Sequence, residues 1–403
     1  EEPIGDASSI SLAGDAFARG DYSSLTQGGY VFIFPYQLAM VAILEHIAKI
    51  FGQEQYIVFQ FVNVLAILLA FLSLARITEL TFKDKRITNL LIILLAFCFP
   101  YMMYTTFIYG NILSTGLALF AVWMQLVFFE KEKVKYALIS GVAIALAVLI
   151  KQNSLIVWVG VEAIAAITLV TRRKLKLAWM AIFPVVFLIL FSTALPLIYQ
   201  AKSGVKEVSK HGVPSIAWAA MGLQESPRAN GWYNGFVFDG YKQTGYDAKK
   251  MKQLSHESID ASMTRFKKDP SYAWSFFKDK VLSEWNDPSY QSIWIGVVMY
   301  RSGPLSRIGD SLYGGWRGGV STGMTSIMNV YQSIIFLGAL AFMILRARKL
   351  TMQQLLLGMV VVGGFLFHMV WEAKGQYTLP YFVMIIPFAA AGIVAISDRL
   401  QKQ

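Results

Sequence analysis

An all-α integral membrane fold is what this sequence predicts, on three grounds: its composition, the spacing of its apolar runs and the placement of its basic clusters. At 56% hydrophobic and only 15% charged residues, with a mean hydropathy of +0.50, the chain is too apolar to fold with water as its only solvent. Nine runs are long enough to cross a bilayer, at 55–80, 87–103, 106–129, 135–151, 154–171, 177–199, 324–345, 352–371 and 377–397. Basic clusters stand in the gaps: Lys83, Lys85 and Arg86; Lys131, Lys133 and Lys135; Arg172, Arg173, Lys174 and Lys176; Arg346, Arg348 and Lys349. The positive-inside rule puts these four short loops in the cytoplasm. They alternate correctly only if 55–80 enters from outside, which leaves residues 1–54 on the outer face. The +11 net charge is thereby spent on topology signals, and no nucleic-acid partner is expected. Cys98 stands alone in an apolar run, which excludes an intrachain disulfide and a cysteine metal site.

Taken in order, residues 1–54 form a first outer loop. Its opening EEPIGDASS lacks the basic and apolar regions of a signal peptide, and its sidedness calls for a preceding transmembrane helix. A tenth apolar stretch, 32–51, carries Glu45, His46 and Lys49 on a helical pattern and is expected to lie in the interface as a juxtamembrane helix. Residues 55–199 follow as a six-span module, 200–323 as a large, partly helical outer domain, and 324–403 as three closing spans. Within 200–323, QLSHESIDASMTRFKKD has helical spacing, while Gly235, Gly240 and Gly245 suggest an irregular loop before it. This domain holds 16 Lys and Arg against 11 Asp and Glu. Long loops translocate regardless of charge, so the surplus reads first as tolerated and second as an anionic-ligand surface.

Polar residues collect at the predicted outer ends of the spans. Asp6 precedes the helical stretch ASSISLAGDAFARG and reads first as an N-cap. Its functional reading is a general base at the membrane surface. Asp15, two and a half turns on, faces another side and is expected to be a solvated surface residue. Lys151, Gln152 and Asn153 form a connection where a lysine is unexpected: it either snorkels or holds a phosphate. Glu372, Lys374 and Tyr377 in WEAKGQY, beside His368 and Trp371, are either an ion pair in an aromatic belt or part of the same cleft. Tyr36, Gln37, His46, Tyr109, Asn111, Trp232 and Asn234 complete the cleft candidates. Inside the span 154–171, Glu162 reads as an interhelical hydrogen-bonding group or, alternatively, as a proton-coupling carboxylate.

The order of these features resembles a known class. An outer Asp, then AGDAFARGDYSSL, then GGYVFIFPYQ before an interfacial helix is similar to the first outer loop of C-type (GT-C) membrane glycosyltransferases, in the dolichyl-phosphate-mannose protein mannosyltransferase-like superfamily. FIYGNILS, LAVLIKQNSL and WEAKGQYTLPYFVMIIP extend the likeness, and MGLQESPRANGWYNGF and SEWNDPSYQ look like a Gram-positive bacterial branch that decorates surface polysaccharides. One preceding helix plus six spans also matches the seven-helix module of that class. The resemblance implies a GT-C multi-span helical bundle in the bacterial cytoplasmic membrane with its active site on the outer face. It implies a polyprenyl-phosphate sugar donor, a glycan or lipid-linked glycan acceptor, and transfer with inversion. Asp6 would then be the catalytic base and Lys151 would bind the carrier phosphate, with Lys374 and Tyr377 at the same cleft. Where relatives place a second acid beside this aspartate the chain has Ala7, and where others carry a carboxylate it has Asn111, so a single base without a metal or other cofactor is expected. Trp218, Trp232 and Tyr233 are available to stack on a sugar ring. A transporter or flippase, and a polymerase or ligase of surface glycans, are the competing readings; the first requires Glu162 and His368 to line one cavity.

Overall fold

A computed structural model describes residues 3–295, 311–312, 319–346 and 350–402. Among the described residues the chain is helical, without strands. Seven helices among the described residues are long and apolar enough to cross a membrane: Tyr56–Phe82, Asn111–Lys131, Gln152–Arg172, Leu175–Ser203, Gly319–Arg346, Met352–Val370 and Gly375–Leu400. The two remaining predicted spans take other forms. Val134–Ile150 is apolar but shorter, and 87–103 is broken into Lys85–Ala96 and Phe99–Thr106, bent by 49°. Pro100 sits in the first turn of the second piece, where its missing N–H and fixed φ start a helix but cannot continue one.

A break at membrane depth frees backbone groups that lipid cannot satisfy. Side chains from neighbouring helices take them. Asn63 donates to the carbonyls of Thr105 and Phe107 at 3.0 and 2.9 Å, and the Tyr331 hydroxyl donates to Leu94 O at 2.9 Å.

The basic clusters meet at one end of the bundle. Asp398 pairs with Arg86 at 2.6 Å and Arg346 at 3.3 Å, which ties three sequence-distant segments together, and Lys174 pairs separately with Glu132 at 2.5 Å. Arg348 and Lys349 lie outside the described residues.

The opposite end carries the first loop and the peripheral domain. In the first loop, Ser23–Ile33 and Pro35–Phe51 meet at 104°, so this stretch turns sharply before Tyr56–Phe82 begins. The expected polar face of Leu38–Phe51 needs correction. Glu45 points inward and is fully buried, accepting from the Tyr199 hydroxyl and pairing with Lys49 at 2.5 Å and Lys202 at 3.4 Å. It bolts the juxtamembrane helix to Trp179–Ser203.

In the peripheral domain, Ile216–Gly222, Phe236–Gln243, Ala248–Lys268 and Pro270–Trp285 are helices, the last two capped by Asp247 and Asp269. The irregular loop expected around Gly240 is instead the helix Phe236–Gln243, bounded by Gly235 and Gly245 and packed on Met251. Ile33 of the first loop joins Val213, Ala217, Met221, Val237, Tyr241 and Met251 in one small core, which fastens loop and domain to each other.

Candidate active site

Asp6 is the first residue of the helix Asp6–Ala18, after Gly5 at the N-cap with φ +57°. Its carboxylate makes no capping hydrogen bond, so the cap reading fails: a residue already in helical geometry cannot reach back to the free N–H groups as an N-cap does. Asp6 is exposed. Its charge reaches Tyr30, Tyr36, Tyr109, Lys151, Lys374 and Tyr377, and Tyr30 hydrogen bonds with it.

Lys151 ends the helix Val134–Ile150, and the tight turn Gln152–Ser154 follows. Its ammonium lies 4.2 Å from the centre of the Tyr109 ring and 5.3 Å from that of Tyr377. Among the described residues no carboxylate is within ion-pair distance of it. Burial pulls its pKa down to about 8, against the opposing fields of Asp6 and Glu372. Lys374 comes from the connection after Met352–Val370 and pairs with Glu372 at 2.9 Å. Burial would lower its pKa too, but Glu372 and Asp6 more than offset that and hold it above the usual lysine value. The Tyr377 hydroxyl donates to the other Glu372 oxygen at 3.0 Å, and Gln37 donates to the Tyr109 hydroxyl.

A cavity of about 460 Å³ opens beside Lys151. One wall is apolar and comes from the spans, with Val148, Leu149, Leu155, Leu188, Leu195 and Pro196; the other carries Tyr36, Lys151, Trp218, Glu372 and Tyr377. Gln152 and Asn153 also line it. Asp6 stands beside this cavity, not among its lining residues. The arrangement offers an apolar wall ending at the Lys151 ammonium, with an exposed carboxylate beside the polar side.

Several candidates lie elsewhere. Asp15 is buried, not solvated: it accepts from the Glu54 N–H at 3.3 Å, and burial raises its pKa. It lines a small separate pocket with Leu44, Ala48 and Gly52. His46 is exposed and bonds through Nδ1 to Ala42 O at 2.7 Å, within its own helix. Trp232 is buried and donates to Ser283 at 2.9 Å, and Asn234 braces a turn through Gln224 at 2.7 Å and the Phe236 N–H. Asn111 is buried at the start of Asn111–Lys131, donating to Gln376 O at 3.4 Å while its Oδ1 has no hydrogen-bond partner. Neither Glu162 nor His368 lines the 460 Å³ cavity; His368 is buried with Nδ1 4.0 Å from Glu284.

Of the aromatic residues expected to be available to a sugar ring, two stand at the site, and beneath them lies Lys280, which carried no signal in the sequence. Tyr233, exposed, has its ring centre 5.8 Å from the Lys374 ammonium. Trp218 lines the cavity and stacks on Trp371, with centroids 6.4 Å apart and planes within 5°. Beneath the Glu372–Lys374 connection, the buried Lys280 ammonium donates to Gly222 O, Trp371 O and Met369 O at 2.6, 2.7 and 3.1 Å. Gly222 must be glycine here, because a Cβ would lie 2.4 Å from the Trp371 backbone. Burial lowers the Lys280 pKa and raises that of neighbouring Glu284. Lys280 therefore staples the peripheral domain to the connection that presents Glu372 and Lys374. Among the described residues no three His, Cys, Asp or Glu side chains converge to hold a metal ion.

Residues 38–197 match the family described as dolichyl-phosphate-mannose-protein mannosyltransferase, which bears out the resemblance to C-type membrane glycosyltransferases. No curated protein matches the sequence. Among solved structures, the chain is similar to the archaeal oligosaccharyltransferase AglB from Archaeoglobus fulgidus, determined in complex with an inhibitory peptide and a dolichol-phosphate. The two are 14% identical with a TM-score of 0.49, over 98% of this chain and 46% of the other. The chain thus spans less than half the length of that protein.

Proposed function

We propose that this protein transfers one sugar from a polyprenyl-phosphate carrier to a glycan acceptor at the outer face of a bacterial membrane. The observation that carries this reading is the presence, at one site, of an exposed carboxylate outside any capping role and a lysine ammonium without a counter-ion at the end of an apolar wall. The carrier's isoprenoid chain lies along the apolar wall, and its phosphate meets Lys151. Asp6 takes the proton of the attacking acceptor hydroxyl. The new C–O bond forms at the anomeric carbon as the bond to the phosphate oxygen breaks on the opposite side, so configuration inverts. The electron pair leaves with the phosphate, and the Lys151 charge stabilises it where water is scarce.

The test is transfer from a labelled polyprenyl-phosphate sugar to membrane acceptor in vesicles, comparing wild type with Asp6→Asn. The variant is expected to fold normally and lose about a hundredfold or more in rate, the usual worth of a general base. A variant as active as wild type would remove Asp6 from the chemistry. A wild type that transfers from no carrier would remove the transferase reading.

A further inference from the structure

The surplus of basic residues in 200–323 finds no use in the site above. Part of it gathers at a second cavity of about 510 Å³, whose rim carries Lys210, His211, Lys252 and His256, all exposed. Among the described residues no carboxylate lines it. Glu207, facing a neighbouring pocket, pairs with Lys210 at 3.0 Å and His211 at 3.5 Å and holds these two in place. Among the described residues no ion pair reaches Lys252 or His256, so the rim keeps a net positive charge.

This cavity adjoins the first: Pro35, Ser209, Val213 and Ser215 line both. The shared wall has a demanding backbone. Glu207 and Ser209 hold φ of +60° and +66°, and a Cβ on Gly212 would lie 2.7 Å from the Pro35 ring. Non-glycine residues stay in that region only where their surroundings over-determine it. Here Val213 N–H donates to Ile33 O at 3.0 Å, and the His211 ring stacks on Phe32 at 5.4 Å. The path runs from the apolar wall, past Lys151 and Trp218, to Lys252 and His256 on the peripheral domain. None of the seven spanning helices contributes to the second cavity. A water-borne occupant can therefore reach it without passing between the spans.

We propose that this cavity binds the acceptor chain and that the acceptor is an anionic glycan, bearing carboxylate or phosphate groups along a hydroxyl-rich backbone. The word acceptor rests on the transferase reading; the binding of an anionic glycan does not. Exposed cations act over only about 8 Å at physiological ionic strength, so recognition takes several charges at once and weakens with salt. Ser209 and Ser215 supply hydroxyls for the uncharged part of the chain.

The experiment uses full-length protein in nanodiscs of neutral lipid and measures calorimetrically the binding of hexagalacturonate and of its methyl ester. Wild type is compared with Lys252→Ala/His256→Ala and with the charge-retaining Lys252→Arg/His256→Gln. Hexagalacturonate should bind wild type and weaken between about 20 and 200 mM salt. The alanine pair should raise its Kd about tenfold or more and the charge-retaining pair by less than about threefold, with the ester weak throughout. Equal binding of ester and acid, or an unchanged Kd in the alanine pair, overturns the proposal. So does loss of hexamer binding when phosphatidylglycerol is added, which would make the cavity a lipid-headgroup site. No donor enters the assay: a wild type that binds the hexamer yet transfers no sugar defeats only the transferase reading, and transfer without charge-dependent binding defeats only this one.

Discussion

Lys151 and Lys374 both lie near the Tyr377 ring, 5.3 and 5.6 Å from its centre, and their surroundings differ in the one respect that matters for an anionic ligand. Lys374 has its counter-ion at 2.9 Å, and that pairing keeps it charged. Lys151 has only the faces of Tyr109 and Tyr377, and burial leaves its charge poorly compensated. Ring faces attract a cation without neutralising it. The comparison teaches that a half-buried cation held by aromatic rings is ready to receive a phosphate, whereas one already paired serves to shape the site. Lys280 is the limiting case, an ammonium whose three donors are all taken by backbone carbonyls.

The largest effect should come from breaking this asymmetry. Lys151→Met is expected to lower the initial rate of sugar transfer by about a hundredfold or more, the scale of one preorganised electrostatic contact. The double variant Glu372→Gln/Lys374→Gln, which removes both members of the pair so that neither is left buried alone, is expected to cost no more than about tenfold. Equal losses would show that the two lysines share the phosphate.

Lys280→Met should act on stability instead. It strands three carbonyls, at roughly 1–3 kcal/mol for each buried group left unsatisfied, and thermal unfolding in detergent should show a clear fall in Tm. A Tm equal to wild type would mean the staple is dispensable.

The pH dependence of the donor KM sharpens the same contrast. Lys151 is charged below about pH 8 and loses its proton as pH rises through that value, so phosphate affinity is present below 8 and declines above it. The donor KM should rise between pH 8 and 9, by up to about tenfold, and Lys151→Arg should flatten the profile because arginine keeps its charge. A profile unchanged in Lys151→Arg would assign the titration elsewhere. The smallest effects belong to Asp15→Asn and His46→Gln, whose side chains face away from the cavity; each should change transfer by less than about twofold in the same vesicle assay.

The order of the apolar segments, the helical spacing of QLSHESIDASMTRFKKD and the placing of the basic clusters on one side were all legible beforehand. Each rests on patterns a few residues long. The Lys151 turn and the WEAKGQY connection were also visible, because polar residues between apolar runs are conspicuous. Directions were not. Asp15 and Glu45 had the composition of solvated positions yet turn inward, one to the Glu54 N–H and the other to Tyr199 and Lys202. Lys280 looks like any lysine on a mixed helix; its partners lie 58, 89 and 91 residues away.

By itself, then, the sequence determined that the chain is a helical membrane protein and which residues stand at the ends of its spans, since hydropathy and charge act locally along the chain. Only the tertiary structure decided which of those ends meet, that Asp6 is free of a capping role, and that Lys151 is left without a counter-ion while Lys374 has one. Those outcomes depend on burial and on neighbours distant in sequence, and no local pattern encodes either.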